Sequence, residues 1–346
     1  MENTIYQDIA KRTNGDIYLG VVGPVRVGKS TFITNFMEKL VIPNIEDNNV
    51  KIRAVDELPQ SADGKTIMTT QPKFVPSQAV KINIDNIEMN VRLIDCVGYF
   101  VTGALGSEEG ERPRLVKTPW SDEDMPLERA AEIGTEKVIK EHSTVGIVMT
   151  SDGSFGELSR DSFVEGEERV INELKSINKP FVVILNSAHP KAPETKTLAS
   201  EISQKHNVKV MAMDVTNLDV DNINTIFANL LEEFPLIAIE IKMPLWMQAL
   251  SFAHPLIEKV VDEFKNKLLN VEKVGDLSQG VLFEDSEEFE PINANLVKMG
   301  EGRVDFTVTP KPHLFYNVLS EQCGMEIQND FELISNIKEL AHAKTE

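Results

Sequence analysis

Cysteine is nearly absent from these 346 residues. The two present, Cys96 and Cys323, are too few and too far apart for a disulfide framework or a Cys-based zinc site. The six histidines show no metal-ligand spacing either, so both residue types read as ordinary packed or solvated positions. Basic charge is short as well. With 35 Lys and Arg against 55 acids, the formal net charge of −20 argues against nonspecific binding to nucleic acid or to an anionic membrane. No apolar run is long enough to span a bilayer, and the amino-terminal MENTIYQDIAKRTNG lacks the basic and apolar regions of a signal peptide. A cytoplasmic location is the expectation. Internal repeats and low-complexity tracts are also missing.

What is present is 41% apolar sequence, enough at this length for two cores. Up to about residue 237, apolar runs alternate with helical patterns, the signature of a strand-helix-strand α/β sheet. The runs predict strands over Ile17 to Gly23, Met89 to Asp95, Val145 to Thr150, Phe181 to Asn186 and Val208 to Met213. Helices fall near Lys29 to Leu40, Leu127 to His142, Gly166 to Ile177, Thr195 to His206 and Val220 to Phe234. After Phe234-Pro235 the rhythm changes. Leu256, Ile257, Val260, Val261, Phe264 and Leu268 fall on one helical face, Val304-Phe306-Val308 alternates as a strand, and Phe331 to Ile334 opens a last helix. The division is therefore residues 1–237 as one α/β domain and 238–346 as a smaller α+β domain.

The stretch DIYLGVVGPVRVGKST carries the chemistry. Gly23-Pro24-Val25-Arg26-Val27-Gly28-Lys29-Ser30 matches G-x-x-x-x-G-K-[ST], which arises by chance in roughly one chain of this length in a hundred. Here it also follows an apolar strand and opens an amphipathic helix, the arrangement in which backbone N–H groups and a helix N-terminus face an anion. The P-loop reading assigns Gly23 through Ser30, with Thr31, to a nucleotide's phosphates. Lys29 reaches the β and γ phosphates, and the Ser30 hydroxyl ligates Mg²⁺. A second metal partner is expected at the end of another strand, and VRLIDCVG supplies Asp95, with Gly98 completing a D-x-x-G whose amide senses a γ-phosphate. Between the two motifs, GKTIMTTQPKFVP holds Thr66, Thr69 and Thr70. Each reads equally well as a threonine closing on Mg²⁺ and the γ-phosphate or as part of a Thr-rich entry to an edge strand.

Lys73 to Asn83, a turn at Asp85-Asn86 and Met89 to Asp95 read as a β-hairpin, which sets an antiparallel strand beside the metal-binding one. That layout resembles the translation-factor-related class of GTPases, from which two parts are missing. Where N-K-x-D would hold guanine, FVVILNSAHP offers Asn186, Ser187, Ala188 and His189, with no carboxylate for the guanine edge. A site lacking that hydrogen-bond partner loses its discrimination for guanine, unless Asp214 after the last strand reaches it. Tyr99 stands after Gly98 where many relatives carry a water-orienting Gln, so hydrolysis is expected to be slow or to use another group.

GDIYLGVVGPVRVGKSTFI, DELPQSADGKTIMTTQPKFVP, RLIDCVGY, AAEIGTEKVIKEHSTVGIV and AHAKTE together closely resemble the stage IV sporulation protein A family of endospore-forming bacteria, over essentially the whole chain. The resemblance implies a cytoskeletal ATPase of the mother cell that binds ATP with Mg²⁺, hydrolyses it and self-assembles into the basement layer of the spore coat. It further implies spore-coat and forespore-surface proteins as partners. It assigns the P-loop lysine to Lys29, the sensor threonines to Thr69 and Thr70, and the metal-strand aspartate to Asp95. The expected set is thus Lys29, Thr69, Thr70 and Asp95 for catalysis; Ser30, Thr70 and Asp95 for metal; and the P-loop with Gly98 and Asn186 for nucleotide. Family members continue beyond AHAKTE into a region associated with assembly and with anchoring at the forespore membrane, whereas this sequence stops at Glu346. A GTPase-like switch that recruits partners without polymerising is the alternative function. Residues 99–126, which hold Arg112, Arg114, Lys117 and Trp120, read as a nucleotide-responsive switch or as disorder.

Overall fold

The computed structural model describes residues 2–59, 72–101, 108–109, 112–118, 121–156, 158–279, 281–292 and 296–343. The chain divides into two compact units, Met1–Pro235 and Leu236–Glu346. Leu236 and Ile237 fall on the far side of the division because their amides donate to Glu272 O and Gly302 O of the second unit.

The first unit begins with α1 (Glu2–Arg12), β1 (Asp16–Val22), α2 (Lys29–Phe36), α3 (Asn48–Asp56), β2 (Lys73–Ile84) and β3 (Ile87–Asp95). Two short antiparallel ladders follow, β4 (Glu108–Glu109) with β5 (Arg112–Pro113) and β6 (Leu115–Thr118) with β7 (Ser121–Pro126). The unit continues through α4 (Leu127–Lys137), β8 (Val145–Ser151), α5 (Asp161–Ser176), β9 (Phe181–Asn186), α6 (Pro193–His206), β10 (Val210–Met213) and α7 (Val220–Glu232).

Six strands form one sheet in the order β10-β9-β8-β1-β3-β2. The first five run parallel, and only β2 at the edge is antiparallel. Every residue of β8 and β9 is buried, as expected of central parallel strands covered on both faces. The β2–β3 turn places both Asp85 and Asn86 at positive φ (53° and 66°), the handedness that matches strand twist in a two-residue hairpin. Two helices differ from the read pattern: α2 widens into a π turn over Met37–Val41, and α5 starts five residues before Gly166. The chain leaves β1 for β3 on one side and returns to β8 on the other. Strand order therefore reverses at β1, the switch point at whose carboxyl end open α/β sheets hold their ligands.

The second unit has a three-stranded sheet, β11 (Ala238–Lys242), β13 (Arg303–Thr307) and β12 (Leu296–Lys298) in that order, with β11 and β13 parallel. Its helices are α8 (Leu245–Gln248), α9 (Pro255–Leu268), α10 (Pro312–Cys323) and α11 (Asp330–Ala343). Ile257, Val260 and Phe264 of α9 enter a core with Phe283, Phe289 and Phe306, and Leu256, Val261 and Leu268 pack at its margin. No helix among the described residues is long and apolar enough to cross a membrane.

Candidate functional site

Register places Val21 opposite Asp95, so the loop after β1 starts beside the carboxyl end of β3. The pairing continues beyond both strands through a Pro24–Tyr99 bridge, in which the Val25 amide donates to Tyr99 O (2.9 Å) and the Tyr99 amide to Gly23 O (3.3 Å). Gly28 caps α2 in the left-handed region at φ 94°. Gly98 sits at φ 89°, and a Cβ there would lie 2.1 Å from Gly23 O and 2.6 Å from Lys29 Nζ. Only glycine allows the D-x-x-G turn this close to the P-loop.

Lys29 opens α2 and is 6% exposed. Its ammonium donates to Pro24 O (2.5 Å) and Gly23 O (3.3 Å). Burial lowers its pKa, against the pull of Cys96 and Asp95. Beside it, the Ser30 hydroxyl donates to Asp95 Oδ2 at 2.7 Å. Loss of water around Asp95 raises its pKa, opposed by the Ser30 bond and by Lys29 and Lys73. The site thus combines a buried cation, a hydroxyl and a carboxylate of the hard-oxygen type that Mg²⁺ takes, at a helix N-terminus. These residues fit a Mg²⁺-nucleoside phosphate. Cys96 is buried, with its thiol pushed up to about 11 by burial, and it donates to Val21 O.

Pro24 to Val27 form the turn itself, with Arg26 in the left-handed region at φ 65°, and Thr31 lies in the first turn of α2. Asn186, at the end of β9, is a strut: its Nδ2 donates to Val27 O (3.1 Å) and its Oδ1 accepts from Val215 N (3.3 Å). It ties the P-loop to the turn after β10. Asp214 caps that same turn, accepting from Thr216 N (2.9 Å) and Asn217 Nδ2 (2.8 Å), and is spent locally. Thr66, Thr69 and Thr70, like Trp120, lie outside the described residues.

Tyr99 is 2% exposed and donates its hydroxyl to Glu173 Oε2 (2.5 Å), away from the P-loop. Burial and that carboxylate raise its pKa. A further pair escapes sequence reading. Arg160, at the N-cap of α5, forms a two-pronged bond to Glu167 (2.6 and 2.8 Å) and also donates to Thr150 Oγ1 at the end of β8 (2.9 Å). Glu167 stands among Phe163, Val170, Ile171 and Leu174 on the buried face of α5; a charge inside an apolar stripe was the one available signal.

Comparison with known proteins places the chain in a family. The family model described as "Stage IV sporulation protein A, ATPase domain" matches residues 1–235, and the one described as "Stage IV sporulation protein A, middle domain" matches residues 236–346. The chain is 49% identical to a stage IV sporulation protein A of Clostridioides difficile (strain 630), across 100% of this chain and 71% of that protein. Similarity to the Bacillus subtilis (strain 168) and Bacillus anthracis proteins of the same name is 44%, over 99% of this chain and 70% of each. Because the two family models together match residues 1–346, this chain belongs to the stage IV sporulation protein A family.

Proposed function

We propose that the first unit binds ATP with Mg²⁺ and hydrolyses it slowly to ADP and phosphate, and that this cycle drives self-assembly into the basement layer of the spore coat around the forespore. The observation that carries the chemistry is the convergence of Lys29, Ser30, Asp95 and Gly98 where strand order reverses. In this reading Lys29 holds the β and γ phosphates, Ser30 and Asp95 hold the metal directly or through its water, and the Gly98 amide meets the γ-phosphate. Mg²⁺, when bound, would neutralise the charge on the phosphate oxygens. Thr69 and Thr70 are assigned to the γ-phosphate and metal by the same reading. Tyr99 orients no water, since its hydroxyl is held by Glu173.

Adenine over guanine is supported by two features: no carboxylate stands at His189, and Asp214 is engaged in its own turn. The antiparallel edge strand beside β3 supports a relation to translation-factor GTPases. Self-assembly, the partners at the spore coat and forespore surface, a link to the forespore membrane through a region beyond AHAKTE, and residence in the mother-cell cytoplasm all rest on family membership.

Phosphate release and sedimentation, measured side by side with ATP or GTP, test the reading. ATP is expected to support both, with GTP failing to displace bound ATP at equal concentration. Pelleting without phosphate release would uncouple assembly from hydrolysis, and a GTP preference without pelleting would favour a recruiting switch. Asp95→Asn removes the charge that steadies the metal while keeping the shape. Turnover is expected to fall by roughly 100-fold, in line with loss of a charged group acting on the transferring phosphoryl. Unchanged phosphate release at limiting Mg²⁺ would place the metal elsewhere.

A further inference from the structure

Tyr99 is bound into the site by its backbone and out of it by its side chain. Two main-chain hydrogen bonds join it to Gly23 and Val25 of the P-loop. Its ring is buried with Val170, Ile171 and Leu174 of α5, and the backbone of Gly166 on that helix is so near that a Cβ there would lie 3.4 Å from Tyr99 Cβ. The hydroxyl ends on Glu173 Oε2, one turn from Arg169. The Arg169 guanidinium lies 4.4 Å over the centre of the Tyr99 ring. The same guanidinium reaches Glu173 (3.5 Å) and, on α4, Glu132 (2.5 Å), which also accepts from Arg129 (2.8 Å).

Phenylalanine would fill the same space. A hydroxyl carried to a carboxylate that is itself held by a stacked arginine adds direction to the packing, because a hydrogen bond to a charged acceptor is among the stronger ones. Tyr99 is next to Gly98, whose backbone lies so near the loop after β1 that a Cβ there would meet Gly23 O and Lys29 Nζ. With Tyr99 fastened on three sides, the neighbouring Gly98 peptide is held beside Lys29. Resting on the nucleotide reading of the P-loop, we propose that Tyr99, held by Glu173 and Arg169, is a positioning residue that sets the Gly98 amide for the γ-phosphate, and so sets the preference of this site for ATP over ADP.

ADP carries no γ-phosphate, so a loosened Gly98 turn penalises ATP alone. A general loss of folding or of the P-loop penalises both nucleotides. The experiment is competition of ATP or ADP against a fluorescent ADP analogue in Mg²⁺ buffer, with turnover measured in parallel. Tyr99→Phe is expected to lower the ratio of ATP to ADP affinity about tenfold and leave ADP affinity within about twofold. Glu173→Ala, on a half-buried helix face, removes the acceptor and also a partner of Arg169, and is expected to lower the ratio at least as much. The Tyr99→Phe/Glu173→Ala pair should lose less than the sum of the two, because both break the Tyr99–Glu173 bond. Glu173→Gln keeps an acceptor and should retain most of the ratio. An unchanged ratio in Tyr99→Phe, equal losses for ATP and ADP, or additive losses in the pair would each overturn the proposal. Lys29→Ala separates it from the reading it rests on. If that variant binds the analogue normally, the nucleotide site is misassigned; if it does not bind while Tyr99→Phe is silent, only the role of Tyr99 fails.

Discussion

Lys29→Ala is expected to weaken ATP binding by roughly 100- to 1,000-fold, the equivalent of losing about 3–4 kcal/mol of charge-assisted hydrogen bonding to the β and γ phosphates. The fold should not suffer in proportion. The amine is buried and its burial lowers its pKa, so the charged form costs the folded protein desolvation that its bonds to Gly23 O and Pro24 O only partly offset. Thermal unfolding monitored by circular dichroism should therefore move by only a few degrees while a direct ATP titration goes flat. Normal ATP affinity in a folded Lys29→Ala protein would remove the P-loop from the site. A protein that unfolds on this change would show that the lysine braces the loop rather than reading the ligand.

Arg160→Ala should have the largest effect on stability. It leaves Glu167, only 1% exposed, as an unpaired carboxylate inside the packing of α5, and it frees the end of β8 at Thr150 and Ser151. Breaking one partner of such a pair costs about 3–5 kcal/mol. At roughly 2–4 °C per kcal/mol for a unit of this size, the midpoint should drop by about 6–20 °C. One control gives the result meaning. Replacing both partners, Arg160→Met with Glu167→Leu, should recover most of the loss, because neither side then carries a stranded charge. A midpoint within about 2 °C of the parent protein would show that the pair contributes nothing net.

The parts legible in advance share a cause. Strands β8 and β9 are buried on both faces, so they appear as unbroken apolar runs, and the α9 stripe is plain because one face of that helix fills a core. Two helices were invisible for the opposite reason. Among the described side chains α1 buries mainly Tyr6 and Ile9, and α3 buries only Ala54 while Ile52 and Val55 face outward; neither carries a stripe to count. The α3 start is set instead by Asp47 accepting from the Asn49 and Val50 amides. Within residues 99–126, the β4–β5 and β6–β7 ladders lie in polar sequence that carries no alternation.

By itself the sequence determined the cradle: an apolar strand, two glycines free to take positive φ, and a lysine and serine at the first turn of a helix. These are local requirements, and each is met within the fifteen residues Asp16–Ser30. Tertiary structure alone decided what surrounds it. Ser30 meets Asp95 across 65 residues, Asn186 braces Val27 across 159, and Tyr99 turns its hydroxyl to Glu173 across 74. Which of these residues meet depends on the order β10-β9-β8-β1-β3-β2, and that order is a property of how the helices cover both faces of the sheet rather than of any one segment.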